Sequence, residues 1–94
     1  MYRHRILIVD DDKLLQKSLF NILSEKYEAT VVGTGEECLR YLARNNVDLV
    51  LLDIKLPGMD GVEVLRKIRE HGLDVSVIMM TAFFSAGWGG MSIL

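Results

Sequence analysis

The sequence predicts an α/β domain, a three-layer sandwich of helices on both faces of a mainly parallel sheet. Two observations carry that prediction. Short apolar runs alternate with amphipathic stretches along the whole chain, the pattern of β-α-β units with right-handed crossovers. Two of the runs, Ile6-Leu7-Ile8-Val9 and Val47-Asp48-Leu49-Val50-Leu51-Leu52, are apolar on both faces and deliver their chain into acid, at Asp10-Asp11-Asp12 and at Asp53.

The elements follow in order. Ile6 to Val9 is a buried strand. Lys13 to about Glu25 carries Leu14, Leu15, Leu19, Ile22 and Leu23, close to an i, i+4, i+7, i+8 stripe, and reads as an amphipathic helix. Ala29-Thr30-Val31-Val32 is a short strand. Thr34 and Glu37 stand three apart, the spacing of a capping box, and open a helix that runs to about Asn45 with Cys38, Leu39 and Leu42 inward and Tyr41 beside them. The Asp53 strand enters the loop Lys55-Leu56-Pro57-Gly58-Met59-Asp60, and Gly61 opens a third helix. Val62, Leu65 and Ile68 mark its inner face; Arg66, Lys67, Arg69 and Glu70 mark its outer one. His71-Gly72 ends it, with Gly72 suited to a left-handed cap and His71 to the negative end of the helix dipole. Val75 to Thr81 is a fourth strand, apolar on both faces.

Bulk properties narrow the function. Ninety-four residues make one domain, and a 50% hydrophobic fraction is enough for a core. Eleven basic against 13 acidic residues give a net charge of −2, with no basic run, which argues against a nucleic-acid footprint. The basic start Met1 to Arg5 precedes only four apolar residues, so neither a signal peptide nor a membrane span is expected. The lone Cys38 is read as a small core residue and is compatible with a reducing cytoplasm.

The chemistry lies in the acids. Ligands of open α/β sheets collect beyond the carboxyl ends of the strands. If the first and third strands are parallel neighbours, Asp53 and at least two of Asp10, Asp11 and Asp12 converge there. Their repulsion favours a bound cation, and carboxylates with a backbone carbonyl from the loop after Asp53 suit Mg2+. Asp12 is better read as the cap of the first helix.

These residues resemble the receiver domain of bacterial two-component response regulators. The resemblance covers about Arg5 to Ala82 and rests on Ile6-Leu7-Ile8-Val9-Asp10-Asp11, on Asp48 to Gly61 around Asp53, and on Thr81-Ala82. It implies a flavodoxin-like parallel sheet. It also implies that Asp53 accepts a phosphoryl group from a sensor histidine kinase or phosphotransfer protein, that Asp10, Asp11, Asp53 and the Lys55 backbone carbonyl hold Mg2+, and that Thr81 is the switch hydroxyl. Such a domain is a signalling module rather than a turnover enzyme and works in the cytoplasm. A phosphohydrolase of the haloacid dehalogenase type fits poorly: after Asp53 its second aspartate is replaced by Lys55, and at Asp10, where Asp12 has the right spacing, Leu14 stands where a threonine belongs.

The resemblance breaks after Ala82, which divides the chain into an incomplete receiver, 1–82, and an apolar, glycine-rich tail, 83–94. The family's sheet order then reduces to 2-1-3-4, lacking the usual fifth strand and last helices, and no lysine follows Lys67 to contact a phosphoryl group. Strand four becomes an edge and one sheet face loses cover, so a homodimer through that edge or face is expected, with the tail's Phe83, Phe84, Trp88, Met91, Ile93 and Leu94 as alternative cover. The alternative function is a switching-incompetent interaction module.

Overall fold

The computed structural model describes residues 2–85 and 88–93, with side-chain surroundings for 2–81. The elements are β1 (Arg5–Val9), α1 (Lys13–Leu23), β2 (Glu28–Val32), α2 (Gly35–Arg44), β3 (Leu49–Asp53), α3 (Gly61–Glu70), β4 (Ser76–Ser85) and β5 (Trp88–Ile93). β1 to β4 are all parallel and lie in the order β2-β1-β3-β4, as expected. The register pairs Leu7 with Thr30 and with Val50, and Leu51 with Ile78, so four apolar strands stack level with one another. Among the described residues no parallel strand follows β4 and no helix follows α3.

In their place β5 folds back as an antiparallel partner of β4, pairing Met79 with Ser92 and Ser85 with Trp88. Between Met80 and Phe84 the register shifts, three residues of β4 facing one of β5, which is a β-bulge. The β4 edge, expected to be open for a second copy, is therefore occupied by the chain itself. The proposed cover by Phe83, Phe84, Trp88, Met91, Ile93 and Leu94 falls on side chains outside the described ones.

The core has two parts. On one face Leu7, Val9, Val50, Leu52, Val77 and Met79 pack beneath α2 and α3, which contribute Cys38, Leu42, Val64 and Ile68. On the other, Ile6, Ile8 and Leu51 pack beneath α1 with Leu19, Leu23, Ile78 and Met80. Two helix faces differ from the sequence reading. Val62 is 59% exposed while Val64 is fully buried, because the inner stripe of α3 runs Gly61, Val64, Leu65, Ile68, about two turns of i, i+3, i+4, i+7 anchored on the glycine. On α1 only Leu19 and Leu23 reach the sheet; Leu14 is 75% and Ile22 67% exposed. The helix lies alone on its face among the described elements, so its flanking leucines and isoleucine meet no second helix. No helix among the described residues is long and apolar enough to cross a membrane.

Candidate functional site

Each acid reaches the sheet's carboxyl edge for a local reason. β1 carries Asp10 out directly from Val9, and the Asp10 amide still donates to the Val32 carbonyl at 3.2 Å, an extension of the β1–β2 pairing. Asp12 then turns the chain into α1. Its Oδ1 accepts from the amides of Leu14 at 2.9 Å and Leu15 at 3.2 Å, so Asp12 is the N-cap and its carboxylate is committed to the helix. Asp11, between them, is exposed. Asp53 is the last residue of β3, opposite Met80 in register, and the Ile54 amide donates to the Met80 carbonyl at 2.8 Å. That bond fixes the exit of β3 beside the chain that leads into Thr81.

The return of the loop after Asp53 depends on glycine twice. Gly58 has φ 73°, the left-handed region. At Gly61 a Cβ would stand 2.2 Å from the Asp53 carbonyl oxygen, so only glycine lets α3 begin against the end of β3. The Gly61 amide donates to the Ile54 carbonyl at 2.8 Å, and Asp60 caps α3 by accepting from the Glu63 amide.

Asp10, Asp11 and Asp53 each offer one carboxylate oxygen within 4.8 Å of the others. Asp10 and Asp53 are only 2% and 4% exposed. Desolvation by burial, the largest cause, raises the carboxyl of each above its ordinary value, and the charges of neighbouring aspartates push the same way. Backbone amides work against this: Asp12 N–H donates to Asp10 Oδ1 at 2.8 Å, and Lys55 N–H to Asp53 Oδ1 at 3.1 Å. Each carboxylate keeps further acceptor capacity beyond that one bond. Clustered hard-oxygen donors, short of compensating positive charge and partly withdrawn from water, fit a small hard cation such as Mg2+.

The acids open into a cavity of about 380 Å³ lined by Asp10, Asp12, Asp53 and Thr81 on its polar side and by Leu14, Leu15 and Met80 on its apolar side. The arrangement brings Asp10, Asp11, Asp53 and Thr81 to one place. Lys55 is exposed and is tied to the site by its backbone. Sequence reasoning put Gln16 on the partner-facing side of α1 and not at the acidic site, where its side-chain amide donates to the Asp10 carbonyl. A glutamine on the second turn of an amphipathic helix looks like an ordinary surface residue, and no local signal distinguishes it.

Comparison with known proteins converges on one family. The response regulator receiver domain matches residues 6–86. Response regulator MprA of Mycobacterium sp. (strain KMS) is 40% identical over 79 residues, which are 83% of this chain and 34% of that protein. Sporulation initiation phosphotransferase F of Bacillus subtilis is 38% identical over 86 residues, 88% of this chain and 68% of its own. The crystal structure of response regulator protein TrrA from Thermotoga maritima in complex with Mg(2+)-BeF superposes with a TM-score of 0.80 at 41% identity, covering 85% of this chain and 70% of that one. The chain thus spans about a third of the MprA relative's length.

Proposed function

The chain belongs to the response regulator receiver domain family of two-component signalling, and from that premise we propose that Asp53 is a phosphoryl acceptor. The observation that carries the reading is the convergence of Asp10, Asp11 and Asp53 at the exit of β1 and β3. The phosphodonor is a histidine kinase or phosphotransfer protein. An Asp53 carboxylate oxygen forms a bond to phosphorus as the phosphohistidine N–P bond breaks, and the imidazole leaves with the electron pair and takes up a proton. No separate base is needed, since a carboxylate carries no proton to remove.

Asp10, Asp11, Asp53 and the Lys55 backbone carbonyl would hold Mg2+, which supplies neutralisation of the charge on the transferring group. The amide that Lys55 donates to Asp53 orients the acceptor. Thr81 acts as the switch hydroxyl, turning toward a phosphoryl oxygen on Asp53 and drawing β4 with it; support for this is that both residues line one cavity. The module transmits a signal rather than turning over a substrate, and its setting is cytoplasmic. Residues 1–82 are the receiver portion and 83–94 an atypical tail whose backbone supplies β5. With the β4 edge occupied, homodimerisation is left with the apolar sheet face beneath α1.

The second reading, an interaction module without switching, draws on the antiparallel hairpin that flanks β4. Acetyl phosphate separates the two. The first predicts a single phosphoryl adduct by intact mass in Mg2+, lost in EDTA and in Asp53→Asn. A folded wild-type chain without the adduct supports the second, and an adduct retained by Asp53→Asn contradicts the assignment of Asp53.

A further inference from the structure

The three aspartates that start the β1–α1 turn have every electrostatic reason to splay when no cation holds them together. The backbone of Asp10 is nevertheless held on both sides. Its amide donates to Val32, and its carbonyl accepts from the side-chain amide of Gln16. Gln16 is half-buried, while Leu14, Leu15, Lys17 and Ser18 around it on α1 are exposed, so a polar side chain is turned inward where its apolar neighbours are not. The β2–α2 turn backs it: a Cβ at Gly33 would lie 3.7 Å from Gln16 Nε2 and 4.0 Å from the Asp10 carbonyl oxygen. Gln16 is itself seated by its own backbone amide, which donates to the Asp12 carbonyl at 2.9 Å.

We infer that Gln16 is a positioning residue of the acidic site, its side-chain amide holding the Asp10 carbonyl so that the Asp10 and Asp11 carboxylates stay beside Asp53 before a cation arrives. The inference rests on the proposed cation site and adds to it the residue that prepares it. The physical effect is preorganisation: the rotation that would carry Asp10 and Asp11 apart requires breaking the Gln16 bond, and a site already gathered binds its ion more tightly. Partners one shell beyond the ligands commonly change metal affinity by 10–100-fold, roughly, when removed.

The test uses the whole chain as wild type, Gln16→Leu and Gln16→Arg, the last of which returns an N–H donor on a long side chain. Two quantities are read: Mg2+ affinity by calorimetry, and amide hydrogen exchange at Asp10 and Asp12 in metal-free protein, with melting temperature recorded alongside. Expected are about tenfold weaker Mg2+ binding in Gln16→Leu, faster exchange at those two amides with β3 amides unchanged, and recovery of both in Gln16→Arg. Wild-type affinity and exchange in a folded Gln16→Leu would overturn the inference alone. Weakened binding that follows a drop in melting temperature and is not recovered by Gln16→Arg would also overturn it, as a merely structural effect. A wild-type chain that takes up no Mg2+ would overturn the cation site and this inference together.

Discussion

Burial of the Asp10 and Asp53 carboxyls weakens the fold that presents them. Both are raised above the ordinary value of 3.8, first by burial and then by neighbouring charge. Between 3.8 and the raised values the folded chain binds more protons than the unfolded one, so stability from these groups is greatest at low pH and falls as pH rises through that window. Above that window both are ionised and the cost is fully present. Asp53→Asn in EDTA is therefore expected to melt a few degrees above wild type at pH 7, with the gap closing as pH falls toward the ordinary carboxylate range. Added Mg2+ should reverse the order, because it stabilises the chain that binds it. Thermal melts across pH with and without Mg2+ check both signs. At this scale the positions of Asp10, Asp11 and Asp53 were legible in the sequence, because two apolar runs that each end in acid predict where parallel strands end. The sequence also separated Asp12, whose position before a helical stripe marks a cap. Gln16 stayed hidden, since its bond crosses from a helix to a loop carbonyl that no side-chain pattern records.

Among the elements, the start of α3 has the least tolerance. The Gly61 backbone fills the space against the Asp53 carbonyl, so Gly61→Ala must push α3 off β3 or move Asp53 itself. Overpacking of this kind costs about 1–3 kcal/mol, or roughly 4–8 °C of melting temperature per kcal/mol in a domain of this size. Mg2+ affinity should fall with it, since the loop after Asp53 is displaced; differential scanning calorimetry and a Mg2+ titration measure the two effects. Gly61 as the opening residue of α3 was readable from the chain, but the inner face was placed on Val62, Leu65 and Ile68. Three apolar residues at 62, 64 and 65 allow two stripes, and the close approach of Gly61 selects the one through Val64. For α1 the stripe was read correctly as apolar, yet apolarity does not say what covers it. Leu14 and Ile22 stay exposed because burial depends on a neighbouring helix, which is a property of the sheet face rather than of the segment.

For the whole molecule, the largest departure from the sequence reading is β5. Trp88-Gly89-Gly90-Met91-Ser92-Ile93 has no alternation and two adjacent glycines, so nothing local announces a strand. Its pairing is a tertiary event, offered by the unpaired edge of β4. Ser92→Pro, which interrupts that pairing opposite Met79, should free the edge and raise the average mass seen by light scattering relative to wild type. An unchanged mass would mean that β5 does not guard the edge. The central claim, that parallel strands gather Asp10, Asp11 and Asp53 into a working phosphoryl-acceptor pocket, is tested most directly by fluorine NMR of beryllofluoride with the 94-residue chain in Mg2+ and in EDTA. Bound fluorine signals that require Mg2+ and vanish in Asp53→Asn are the predicted result; a folded wild-type chain that gives no bound signal in Mg2+ would contradict it.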